Sequence, residues 1–221
     1  MVLENTGWSS VQSCNFVDFF QRHGTVFTNW TATTHPSGPN YRTLISGRSW
    51  SGNEFDGVQR PNIARYVDYQ VFDFRNAPAI RHNPFLDMNP DDPRAQSFAS
   101  DFPQNLASIT YLGMDDANNA HSGPLHVADA NVMDAISCLS GLDQADRLLF
   151  TMVFDEAFGI EYGSNHVFAG MWGTHVPVKQ VNSRLNHANF AQFLADNWSM
   201  TLTEIDPADK TYAGECLFDL P

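Results

Sequence analysis

Apolar and polar positions along this chain alternate between two periods, and the alternation predicts helices interleaved with strands. Val11, Cys14, Phe16, Val17 and Phe20 recur at helical spacing, predicting a helix over Val11 to His23 that Gly24 ends. Thr25 to Thr31 is β-branched and aromatic, as a strand is, and Tyr69 to Phe74 and Ala107 to Leu112 read the same way. Pro39 to Ile45 predicts a helix stopped by Gly47, and Arg48 to Pro61 a loop. Val127 to Leu139 is amphipathic, with Val132, Ala135, Ile136 and Leu139 inward. The unbroken apolar run from Leu148 to Phe154 predicts a strand buried on both faces. A strand over His166 to Trp172 and a helix over Leu185 to Asn197 come next, and Met1 to Leu3 is a short apolar strand at the start. Strands alternating with helices predict an α/β fold with a mainly parallel sheet.

With neither repeat nor linker, residues 1–221 read as one domain, interrupted by an irregular proline-rich excursion at about 76–105. Phe85, Leu86, Phe98 and Phe102 in that excursion either shape a pocket or anchor the loop to the core.

Chemistry gathers where the strands end. The first strand ends in Glu4-Asn5, and the Leu148 strand ends in Asp155-Glu156. Between them, Thr33-Thr34-His35-Pro36-Ser37-Gly38-Pro39-Asn40-Tyr41 carries a strand into a helix with Ser37 at the joint. A hydroxyl there faces free N–H groups and the positive end of a helix dipole, where an oxyanion or phosphate settles. In open α/β sheets ligands bind beyond the carboxyl ends of strands, and these acids and amides are hard oxygen donors for a divalent cation. The competing readings are an ordinary turn at Ser37 and helix-capping acids after each strand.

Those three segments, Glu4-Asn5, Thr34-His35-Pro36-Ser37-Gly38-Pro39-Asn40-Tyr41 and Phe154-Asp155-Glu156, resemble a phosphoesterase family. It comprises acid phosphatases and phospholipases C and is a branch of the alkaline-phosphatase-like superfamily. Asp115 to Ser122 with Ala128-Asp129, Asn165 to Gly170 and Asn186 to Phe190 are similar to further parts of its pattern. The resemblance implies a three-layer α/β sandwich and a metal-dependent hydrolase acting through a phosphoserine intermediate on Ser37. It places Glu4, Asn5, Asp155, Glu156 and Ser37 around a divalent cation, which the oxygen-rich donor set leaves open among Mg, Mn, Ca and Zn. Asn40 is then a donor to a phosphoryl oxygen, and His121 protonates the leaving oxygen or donates to the phosphate. His35, Asp116, Asp129 and His166 are candidates for supporting positions; a dipole-facing acid is the alternative for Asp129, and a packed histidine for His166. The first strand is shorter than the family pattern, which predicts weaker positioning of Glu4 and Asn5.

A formal charge of −13 argues against nucleic-acid backbones and anionic membranes as partners. The small phosphate ester is the partner that the resemblance implies, and an acidic chain can take it if the site carries a metal. Cys14, Cys138 and Cys216 form no closed disulfide set and no CxxC pair. No segment is long and apolar enough for a membrane span, and none precedes the first strand as a signal peptide. The expected location is therefore the cytoplasm, or outside the cell if a leader has been removed. Within this frame the reading is a phosphomonoesterase. The alternatives are a phosphodiesterase of phospholipase C type and a non-catalytic relative that binds a metal or a phosphorylated ligand.

Overall fold

The structure, a computed structural model, describes residues 1–142 and 148–198. Along the chain run β1 (Val2–Leu3), α1 (Asn15–His23), β2 (Thr25–Thr31), α2 (Ser37–Ser46), β3 (Tyr69–Arg75), α3 (Pro84–Met88), α4 (Pro93–Gln96), β4 (Phe98–Ala99), β5 (Ile109–Met114), α5 (Leu125–Ser140), β6 (Leu149–Phe154), β7 (His166–Gly173), β8 (Lys179–Val181) and α6 (His187–Asn197). These elements form two compact units, each assembled from separate stretches of chain. Among the described residues, one is Met1–Thr31 with Asp116–Arg184, and the other is Ala32–Asp115 with residues 185–198.

The first unit is built on a sheet of order β1-β6-β7-β2-β8. β1 pairs with β6, and β2 with β8, in parallel, whereas β7 runs against both β6 and β2. The sheet is therefore mixed, not mainly parallel as the strand-helix alternation predicts. The physical reason is local. Only a loop with a three-residue 3-10 turn, Gly159–Glu161, separates β6 from β7, too short for a crossover, so the chain turns back and lays β7 antiparallel beside β6. Phe16 and Phe20 of α1 press on Phe168 at centroid distances of 5.2 and 5.7 Å, and Gly170 leaves room for the Phe20 ring. The predicted Val11–His23 helix is two pieces, a 3-10 turn over Trp8–Val11 and then α1 from Asn15. Its start is set by Asp129 of α5, whose carboxylate accepts the Asn15 and Phe16 N–H groups at 3.0 Å each.

The second unit holds a small, wholly parallel sheet, β4-β3-β5. All ten residues of α2 are buried, and this helix packs against α3 and α6. Gly47 adopts φ +71 and closes α2 through its N–H to Thr43 O at 2.9 Å, as the sequence predicts. The proline-rich excursion is more regular than expected, because Asn83-Pro84 and Asp92-Pro93 are helix starts. Asn83 and Asp92 cap α3 and α4, each with proline at the first helical position. Tyr69 stacks on Phe85 at 4.4 Å, and Phe102 meets Phe72 and Phe74 edge-on, so Phe85 and Phe102 anchor the excursion to β3. Among the described residues no helix is long and apolar enough to cross a membrane. Cys216 lies outside the described residues.

Candidate active site

Parallel pairing of β1 and β6 in the register Leu3↔Phe154 delivers Glu4-Asn5 and Asp155-Glu156 to one edge of the first unit's sheet. β1 is only two residues long, yet three backbone anchors fix the Glu4-Asn5 pair at its end. Asp155 N–H donates to Leu3 O, Asn5 N–H to Asp155 Oδ1, and Glu4 N–H to Asn119 O, each at 2.9 Å. Asn5 takes φ +51, a left-handed conformation that asparagine tolerates better than most side chains. Glu4 and Asp155 are fully buried, and Glu156 is nearly so. Three carboxyl groups in one buried edge are costly as anions unless cationic or hydrogen-bonding groups compensate them. Their oxygens, with the Asn5 carboxamide, make a hard donor set that fits a divalent cation.

The loop before α5 is tied to the same edge. Asn119 accepts Glu4 N–H through its carbonyl and His121 N–H, at 2.9 Å, through its side chain. The His121 imidazole stands 3.8 Å from the Asp116 carboxylate, both about one-third exposed. Asp116 O also receives the Ser122 and Gly123 N–H groups, which closes the loop on itself. His121 and Asp116 are thus held together with the Glu4 backbone.

Asp129 and His166 are not. Asp129 caps α1, so its predicted supporting role at the site gives way to a packing one. His166 stacks on Trp8 at 5.3 Å, places Nε2 3.1 Å from Thr28 O and faces Glu161 at 3.7 Å. It is a packed histidine.

In the second unit, Ser37 opens α2 as its first residue, after an extended Pro36 and the cis His35-Pro36 peptide. Asn40 shapes this turn. Its Oδ1 accepts Thr33 N–H, Thr33 Oγ1–H and Thr34 N–H at 3.0, 2.9 and 3.1 Å, while Nδ2 donates to Thr34 O at 2.8 Å and Pro36 O at 3.4 Å. Both amide hydrogens are thus engaged with backbone carbonyls of the turn that leads into Ser37. His35, two residues before Ser37, is half-buried.

Two features of this unit carry no sequence signal. His82, from the proline-rich excursion, is buried and stacks on Tyr41 of α2 at 5.5 Å. Glu54, from the loop after α2, accepts the Gly38 N–H at 2.8 Å. That loop is pinned by Arg42, which binds Asn53 O and the Asp87 carboxylate at 2.6 Å each, and by Asp87 Oδ1, which receives the Asp56 and Gly57 N–H groups. Burial alone would raise the Asp56 carboxyl, but the hydrogen bond from Arg60 and the charges of Arg42 and Arg60 hold it below the usual carboxylate range.

No protein-family model matches the chain. It is 22% identical to a phosphatidylinositol-3-phosphatase of Mycobacterium tuberculosis, over 92% of this chain and 77% of that protein. Its fold matches a protein of the alkaline phosphatase superfamily from Vibrio parahaemolyticus with a TM-score of 0.62 at 12% identity, covering 90% of this chain. The chain spans 65% of that structure, less than two thirds of its length. A phosphonate monoester hydrolase from Silicibacter pomeroyi gives the same TM-score at 9% identity, over 93% of this chain and 74% of its own. The fold is that of alkaline-phosphatase superfamily members.

Proposed function

We propose that this chain is a metal-dependent phosphoester hydrolase acting on phosphate monoesters, with Ser37 as nucleophile. The observation that carries the reading is the buried carboxyl edge, Glu4 and Asp155 set side by side by a two-residue strand with Glu156 and Asn5 adjoining. The similarity to a named phosphatase and to superfamily hydrolases supports it.

Glu4, Asn5, Asp155, Glu156 and Ser37 are the residues that would hold a divalent cation. When bound, it supplies positive charge that favours the serine alkoxide and neutralises the phosphoryl oxygens. The Ser37 hydroxyl gives its proton to solvent as Oγ attacks phosphorus, and the ester oxygen departs with a proton from His121, whose imidazole Asp116 orients and which solvent reprotonates. Water then displaces the serine from the phosphoserine, releasing inorganic phosphate and restoring the hydroxyl. Asn40 acts through the turn it holds, fixing the direction of attack.

One observation favours a second reading, in which the substrate is a diester or a lipid headgroup. Directly after Glu156, Phe158, Ile160 and Tyr162 are 70, 92 and 52% exposed. Glu161 between them is anchored inward by Ser9 N–H and Oγ–H. Three outward apolar side chains on a fixed loop suit the apolar part of an amphiphile.

Hydrolysis of a chromogenic monoester and its matching diester, after chelation and after return of single metals, tests both readings. Metal-restored turnover identifies the class, and the preferred ester chooses between them. Ser37→Ala is expected to abolish turnover with the fold and metal retained, whereas Asp155→Ala loses metal as well, as titration calorimetry would show. Full activity in Ser37→Ala refutes the nucleophile assignment. A folded wild-type protein inert with every metal points instead to a binding relative.

A further inference from the structure

The loop after α2 places a carboxylate against the residue next to Ser37. Glu54 Oε2 receives the N–H of Gly38, the second residue of α2 and one of the donors a helix start leaves without an internal partner. Gly38 is needed there, since a Cβ would run into the Glu54 carbonyl oxygen. The carboxylate is held in place, because Asn53 O is bound by Arg42 and the Asp56 and Gly57 N–H groups by Asp87. A negative charge is thus built into a helix turn that would otherwise attract anions.

We propose that Glu54 is a specificity residue that selects by substrate charge, disfavouring doubly charged phosphoryl groups at Ser37 relative to singly charged ones. This rests on Ser37 being the nucleophile. Coulomb repulsion scales with the product of the charges, so a dianionic monoester meets about twice the penalty of a monoanionic diester. The Gly38 N–H held by Glu54 is also withheld from a phosphoryl oxygen. Diesters therefore gain on monoesters, and inorganic phosphate, the doubly charged product, is held less firmly. A neutral acceptor in the same place would cap the helix equally and be blind to the charge of the ester.

Glu54→Gln separates the two roles, because it keeps an oxygen to accept the Gly38 N–H while removing the charge. The metal-loaded protein is assayed at about pH 8, where a monoester with a second pKa of about 6 is dianionic. The substrates are a nitrophenyl phosphate monoester and the corresponding bis-nitrophenyl diester, and inorganic phosphate binding is measured by calorimetry. The monoester-to-diester ratio of kcat/KM is expected to rise about tenfold, the one-charge difference between the two esters, and phosphate, which meets the repulsion with both of its charges, to bind up to about a hundredfold more tightly. Glu54→Asp, which keeps the charge, is expected to hold the wild-type ratio and serves as the control for a disturbed loop. A ratio and a phosphate affinity both within about twofold of wild type in Glu54→Gln overturn the proposal. If the wild-type protein turns over neither ester, the hydrolase reading fails and phosphate affinity alone decides: tighter binding in Glu54→Gln sustains the charge role, and equal binding overturns it.

Discussion

Truncating Asn40 to alanine should destabilise the protein before any substrate is present. The side chain is fully buried and its Oδ1 is the acceptor for the Thr33 and Thr34 N–H groups, while Nδ2 serves Thr34 O at 2.8 Å. Removal strands two backbone donors, and a buried unsatisfied donor costs about 1–3 kcal/mol. Because these groups are only partly buried, the lower half of that range applies, giving about 2–4 kcal/mol in total. For a chain of this length each kcal/mol moves Tm by about 2–4 °C, so a fall of roughly 4–16 °C is expected. Urea unfolding monitored by circular dichroism gives the free energy, and ester turnover in parallel gives the functional cost. Turnover should fall through kcat, since the turn that aims Ser37 is released. Asn40→Asp restores the acceptor for Thr33 and Thr34 but sets a carboxylate against two carbonyl oxygens, so it should recover only part of the stability. The reasoning is refuted if Asn40→Ala keeps stability within about 1 kcal/mol of wild type while losing turnover, for that pattern belongs to a side chain that touches the substrate instead.

Two further outcomes concern buried groups. Arg42→Met leaves the Asp87 carboxylate without its 2.6 Å partner in a nearly fully buried pair, and should cost about 3–5 kcal/mol in chemical denaturation. Amide exchange at Asp56 and Gly57 should quicken, and unchanged exchange would mean Arg42 does not pin that loop. The Cys14 thiol is pushed up to about 11 by burial and by the neighbouring Asp129 charge, so at pH 8 iodoacetamide should label the exposed Cys138 and spare Cys14. A thiol raised in the folded state stabilises fully below its unfolded value of 9.0 and loses that contribution as pH rises toward about 11. Cys14→Ala should flatten the stability profile across that window, and a profile identical to wild type would contradict the assignment.

What the sequence discloses is mostly local. The Leu148–Phe154 run, the glycine that ends α2, and the inward face of α5 come from period and cap chemistry, and the structure has them. The carboxyl edge is legible too, because a strand ending in paired acids needs only one neighbour to make a cluster. The features that escape are set by residues distant along the chain. α1 starts at Asn15 because Asp129, more than a hundred positions later, supplies the cap. The employment of Asn40 in its own turn is a matter of a few ångströms that residue type does not encode, and Glu54 meets Gly38 only because a glycine- and serine-rich loop folds back. Asn83-Pro84 and Asp92-Pro93 show a different failure. The same dipeptides announce a turn or a helix start, and only the packing of Phe85 on Tyr69 decides between them.

The reversed direction of β7 has a consequence for how such a protein diversifies. Had the strand that follows β6 run parallel to it, a crossover would have to carry the chain back to the start of the sheet, and any change in its length would disturb a whole packed layer. Here the return is a loop whose two ends are clasped by Asn165 Oδ1 accepting Ala157 N–H at 2.8 Å. The segment between the clasped ends, Phe158 to Ser164, is a cassette. Around Glu161, which Ser9 holds, it can be lengthened or exchanged without rethreading any strand, while Asp155 and Glu156 stay fixed on its near side. Selection can thus reshape what lies beside these acids independently of the acids themselves.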